Sequence, residues 1–237
     1  MTEPTTIKGA SPNAANAVGR ASVRVGVGRS HPLGILTKED WMTTSEEISK
    51  TLSKVGIKWD EIKIKAHEDG LEGSMKFDFL DIEAPGVSVT RSFFRDGGDL
   101  VAYHSLLELD AGLQGRGVSK GIISALLPAY KKMGVDRIEV HANMDVGGYT
   151  WARYGFKADA RQARRLAGQI EDDGLAKKAS AIVEDFYKSH KADEGFPVNL
   201  IASHSWGKKA LLGTEWGGYV DLHDKAQVAV FKRYASS

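Results

Sequence analysis

The chain has 237 residues, a formal net charge of +1, 42% hydrophobic and 27% charged residues, and no cysteine. This length leaves room for a sizeable core, in one large domain or in a domain of ~150 residues with extensions. Lack of cysteine excludes disulfides, thiolate metal sites and cysteine nucleophiles, and the near-neutral charge argues against nucleic acid or an anionic membrane as a partner held by global charge.

Residues 1–37 are rich in Ser, Thr, Ala, Asn and Gly and read as a flexible arm, with one short strand at Ala21–Val27. Met1–Asn16 lacks the apolar run of a signal peptide, and no stretch approaches ~20 apolar residues, so a cytoplasmic protein is expected. Arg20, Arg24 and Arg29 read as solvated surface.

From Lys38 the pattern turns helical: Trp41, Ile48, Leu52 and Val55 form an apolar stripe, Thr44 or Ser45 caps a turn, and Gly56 stops it. Four strand signals follow, at Ile62–Ile64, Ser74–Ile82, Gly86–Phe94 and Leu100–Leu109. Pro85-Gly86 and Asp96-Gly97-Gly98-Asp99 supply turns between the last three, which predicts an antiparallel meander. A helix is expected over Leu113–Met133, kinked at Pro128 and closed by Gly134, then a strand at Arg137–His141 and a short helix at Tyr149–Tyr154. Asp159–Lys191 reads as two helices broken at Asp172-Asp173-Gly174, and Leu211–Leu222 as a turn between two short strands.

The segment Leu109-Asp-Ala-Gly-Leu-Gln-Gly-Arg-Gly-Val-Ser-Lys120 carries the chemistry. A strand ends, a glycine-containing loop follows, and an amphipathic helix begins. Gly115 and Gly117 let the backbone approach a ligand closely, and the helix start offers amides without intrahelical acceptors at the positive end of the dipole. That combination suits a pyrophosphate, with Arg116 and Lys120 adding charge at the mouth. An ordinary strand-to-helix turn is the competing reading, since the spacing fits neither a dinucleotide fingerprint nor a Walker loop.

Gln114-Gly115-Arg116-Gly117-Val118-Ser119 resembles the Gln/Arg-x-x-Gly-x-Gly/Ala motif of the GNAT acetyltransferases, with Ser119 at the final small position. Leu107, Leu109, Ile122 and Ile123 match apolar positions around it, Ile138–Asn143 resembles the fifth strand of such proteins, and Ala152-Arg-Tyr-Gly-Phe156 their closing Gly-Phe. The likeness covers about half the chain. It implies an α+β fold, a mostly antiparallel central sheet flanked by helices, with a core over 38–157 and a C-terminal extension over 158–237. It also implies acetyl-CoA as acyl donor, held by Leu107, Leu109, Gln114, Gly115, Arg116, Gly117, Val118, Ser119, Lys120 and Asn143, and an amine acceptor on a small molecule or protein. The Asp145–Phe156 and Trp216–Leu222 strings resemble GNAT-like domains of phage-encoded proteins.

Acyl transfer to an amine needs a base. Glu108 and His104, four residues apart on one predicted strand, are expected on one face of it, and His141 lies near the same cleft or packs under helices. Asp145 holds an amine or caps a loop. The general acid of the family is commonly a tyrosine at the position held here by Trp151, whose indole cannot serve. Tyr149 is then the candidate, repositioned by Gly147-Gly148, with water as a further option. The alternative is a GNAT-like fold without activity, used as a docking module. The histidines show no metal-ligand spacing, so no metal is expected; a homodimer is left open.

Overall fold

The computed structural model describes residues 5–7, 22–26, 32–72, 75–143 and 147–236. Packing divides the chain into two compact units, one running to Asp136 and the other from Arg137 to Ala235. Both mix helices with mostly antiparallel strands.

Among the described residues the first unit has six strands in sequential sheet order: β1 (Thr5–Ile7), β2 (Ser22–Gly26), β3 (Lys63–Glu72), β4 (Met75–Ala84), β5 (Val87–Asp96) and β6 (Asp99–Leu109). β2 and β3 run parallel and the other neighbours antiparallel. Strand alternation sets the core: Val87, Val89, Arg91 and Phe93 of β5 are buried on one face, while Phe94 joins Phe77, Phe79 and His67 in a half-buried aromatic row on the other. β2 is the short strand expected at Ala21–Val27, while a strand at 5–7 and a short 3-10 helix within 32–37 stand where a flexible arm was expected; Arg20 and Arg29 lie outside the described residues.

Two helices complete this unit. α1 (Lys38–Ser53) starts at Thr37, whose hydroxyl accepts from the Asp40 amide while Asp40 accepts from the Thr37 amide at 2.7 Å. Thr44 and Ser45, expected as caps, are instead buried inside the helix, because the apolar stripe begins a turn earlier at Trp41. α2 (Val118–Met133) runs unbroken through Pro128 and ends at Gly134 in the left-handed region. It lies on the buried face, with Tyr130 edge-on to Phe93 at 5.7 Å. The two helices pack antiparallel: Lys132 reaches Asp40 at 2.8 Å at one end, and Thr51 meets Gly121 at the other. A Cβ on Gly121 would collide with the Thr51 side chain, so the close approach depends on this glycine.

The second unit contains β7 (Arg137–Ala142), α3 (Gly147–Arg153), β8 (Lys157–Ala158), α4 (Ala160–Gly168), α5 (Asp173–Ser189), β9 (Phe196–Pro197), α6 (Asn199–Ala202), α7 (Gly207–Leu211), β10 (Trp216–Asp221) and α8 (Lys225–Ala235). Its sheet order is β7–β10–β8–β9, antiparallel throughout. Asp159 and Asp172 cap α4 and α5, giving the expected pair of helices. The segment 211–222 holds one strand rather than two, since Gly217 and Gly218 stay extended opposite His141 and Val140. β7 and α3, expected with 38–157, therefore pack with the C-terminal segments. Trp151, Tyr154, Phe156 and Phe231 form an aromatic core. The buried Gln227 ties α8 to it, donating to the Gly155 and Tyr219 carbonyls at 3.0 and 2.8 Å and accepting from the Asp221 amide at 3.0 Å. Among the described residues no helix is long and apolar enough to cross a membrane.

Candidate functional site

The junction from β6 to α2 follows from its glycines. The α2 helix starts five residues later than its apolar pattern suggests, because Gly115 (φ 72°) and Gly117 (φ 78°) hold the loop in a left-handed conformation that other residues resist. Gly117 is the N-cap, and nothing stands within 4 Å of where a Cβ at either glycine would lie, so the loop backbone is open to a ligand. Gly121 donates to the Gly117 carbonyl at 3.0 Å, the first intrahelical bond of α2. The Val118 and Ser119 amides stand ahead of it with no intrahelical acceptor, at the positive end of a 16-residue helix.

Side chains shape the loop. Gln114 donates to the Leu109 carbonyl at 3.0 Å, closing the loop back on the strand end. The Asp110 amide donates to the Gly86 carbonyl at 2.9 Å, fixing that end to the β4–β5 turn. Arg116 is exposed, its guanidinium 3.4 Å from the Gly112 carbonyl, and Lys120 is half-buried one turn further on. The result is an exposed glycine-containing loop at a helix N-terminus with two cationic side chains beside it, an arrangement that suits a diphosphate.

Upstream, β6 is not regular. Thr90 and Ser92 of β5 lie opposite Leu106 and Tyr103, so β6 carries one extra residue between them. That bulge changes the phase of the strand. Glu108 pairs with Ser88 and is exposed, whereas His104 is buried against Tyr130 of α2, its Nε2 3.2 Å from the phenol oxygen. The even spacing that placed His104 and Glu108 on one face is therefore overturned by the bulge. Leu107 and Leu109 remain half-buried, opposite Val89 and Val87.

Arg91 explains how the bulge is held. Its side chain is fully buried, and one guanidinium nitrogen donates to the Thr90 carbonyl at 2.8 Å and to the Leu106 carbonyl at 2.6 Å, next to the irregular pairing. Burial, and secondarily the Arg91 charge, push the His104 pKa well below its ordinary value, so the imidazole is neutral. Burial pushes the Tyr130 phenol up to about 12. Arg91, His104 and Tyr130 are a structural cluster beneath α2. Sequence reading passed over Arg91, although an arginine at a core position of the Val87-Val89-Arg91-Phe93 alternation was a visible signal.

In the second unit, Tyr149 on α3 is half-buried and its hydroxyl accepts from Arg153 at 2.8 Å, with the guanidinium also 5.1 Å from the Tyr234 ring. Gly148 packs against the Leu211 carbonyl and Thr214, where no Cβ fits. Trp151 and Tyr154 are buried in the aromatic core. Asn143 is exposed at the end of β7, its Oδ1 3.8 Å from the Cβ position of Gly147. His141 does not pack under helices; it is exposed and 2.8 Å from Glu215. Asp145 lies outside the described residues.

No family model matches the chain, and neither a curated protein nor a solved structure is similar enough to it to count as a match.

Proposed function

We propose that the protein is an acetyl-CoA-dependent N-acetyltransferase of the GNAT kind, acting on an amine of a small molecule or protein in a ternary complex. One observation carries this reading: the open Gly115–Gly117 loop, capping a long helix with Arg116 and Lys120 at its mouth, directly after an irregular strand. Gln114 to Lys120 hold the donor's pyrophosphate, and the backbone of Leu107 and Leu109 pairs with its pantetheine arm. The donor supplies an acetyl group already activated as a thioester.

The chain supplies positioning and proton transfer. Glu108 is exposed, and its carboxylate takes the proton that an ammonium acceptor must lose before it can attack. The departing thiolate takes its proton from water; Tyr149, whose hydroxyl accepts from Arg153, belongs to the second unit. His104 enters as a neutral brace under α2. Trp151 and Tyr154, both buried in the aromatic core, supply no acid, and that burial favours a second reading in which the fold binds the donor without turnover.

The test measures CoA thiol release from acetyl-CoA with a panel of small amines and lysine peptides. The transferase reading predicts amine-dependent release that falls ~100-fold in Glu108→Gln with donor binding retained. Donor binding without release under any amine supports the second reading, and no binding of acetyl-CoA refutes both.

A further inference from the structure

The turn between β4 and β5, Pro85-Gly86, is joined to the root of the β6–α2 loop. Ala84 pairs with Val87 across the turn, and Val87 pairs with Leu109, the last residue of β6. Asp110, the first residue past that ladder, is held to the turn twice. Its amide donates to the Gly86 carbonyl at 2.9 Å. Its side chain lies directly over Gly86: a Cβ there would stand 2.8 Å from one carboxylate oxygen, 3.0 Å from Cγ and 3.1 Å from the Asp110 Cβ. No side chain fits beside that carboxylate, and the φ of 70° at Gly86 is one that residues with a Cβ resist.

Asp110 is also where strand becomes loop. Its carbonyl accepts from the Leu113 amide at 2.8 Å, so one residue carries both the tie to the turn and the first bond of the loop. Residues 111–116 join it to the N-cap Gly117 with little slack. Gln114 donates to the Leu109 carbonyl at 3.0 Å, and the Arg116 guanidinium is 3.4 Å from the Gly112 carbonyl. The helix beyond the loop is fixed separately, by Tyr130 against Phe93 and by Gly121 against Thr51. A displacement of Asp110 therefore moves the loop against a helix that stays in place.

Resting on the donor reading above, we infer that Gly86 and Asp110 are positioning residues for the diphosphate loop. Gly86 leaves the seat into which the Asp110 side chain fits, and that fit sets where the Gly115–Gly117 backbone stands relative to the Val118 and Ser119 amides. Both act through the loop and not by touching the donor. Binding that relies on several aligned backbone groups is sensitive to such a shift, because a displacement of ~1 Å is enough to spoil the alignment. The turn at the other end of β5 has no such role. Gly97 also has a positive φ, 58°, but nothing stands within 4 Å of its Cβ position.

The experiment is calorimetric titration of acetyl-CoA into the full chain as wild type, Gly86→Ala, Gly97→Ala and the double variant Gly86→Ala/Asp110→Ala. Melting temperatures are recorded for each, and titrations are run well below all of them, where a loss of stability alone leaves affinity unchanged. Gly86→Ala and Gly97→Ala both place alanine at positive φ, so each is expected to melt about 2–4 °C low. Gly86→Ala also weakens acetyl-CoA binding about tenfold, whereas Gly97→Ala stays within about twofold of wild type. The double variant, which removes the obstructing carboxylate, recovers about fivefold of that loss. Wild-type affinity in Gly86→Ala, an equal loss in Gly97→Ala, or no recovery in the double variant overturns the positioning role and leaves the donor reading standing. Absence of binding by the folded wild type refutes the donor reading and the positioning role with it.

Discussion

Arg91 places a full positive charge in the core of the first unit, and its two short bonds to the Thr90 and Leu106 carbonyls give the reason. The bulge in β6 interrupts the ladder there, and a long side chain with fixed, planar donors takes over. Arg91→Met keeps most of the volume but leaves carbonyls unsatisfied, so a loss of about 2–4 kcal/mol is expected in urea denaturation. A loss under 1 kcal/mol would show that the bulge does not depend on it. His104 yields a pH signature. Its folded pKa lies below the unfolded value, so its contribution is complete above pH ~6.5 and is lost as pH falls through that value toward the folded one. Stability should decline by up to ~1.4 kcal/mol per pH unit below 6.5, and His104→Gln should flatten that slope. An unchanged slope in the variant would locate the acid sensitivity elsewhere.

Elements were legible in the sequence wherever period and turn chemistry agreed. The β4, β5 and β6 signals came within a residue or two, since alternating apolar side chains bounded by Pro85-Gly86 and Gly97-Gly98 admit few other readings. Three things were not legible. The β6 bulge is a matter of register, which is set by the partner strand. The cap of α1 is Thr37 because Asp40 completes a reciprocal pair with it, a signal that lay upstream of the apolar stripe. Gly217-Gly218 suggests a turn, yet in β10 a Cβ at Gly218 would meet the Trp216 ring and the Lys157 carbonyl, so the glycine marks close approach instead. Of the candidate site, the loop with its positive-φ glycines was readable from the sequence, while the close approach of α1 and α2 at Thr51 and Gly121 depends on packing. Packing of those two helices is itself testable. Gly121→Ala drives a methyl into Thr51 and should cost about 1–3 kcal/mol, with Thr51→Ala recovering part of the loss. Additive effects of the two changes would contradict the contact.

For the molecule as a whole, sequence and packing divide the chain differently. The core expected over 38–157 crosses the division between the units at Asp136/Arg137, because β7 pairs along its length with β10 from near the C-terminus. The candidate residues are distributed accordingly: the loop and Glu108 belong to the first unit, Asn143 and Tyr149 to the second. Acetyl-CoA binding at the loop is the claim on which the functional reading rests. Calorimetric titration of acetyl-CoA into the wild-type protein and Gly117→Glu tests it most directly, with circular dichroism confirming that both are folded. Saturable one-to-one binding by wild type, weakened at least tenfold when a carboxylate is placed at the α2 N-cap, is the predicted result. Equal binding by the two folded proteins, or none by wild type, would contradict it.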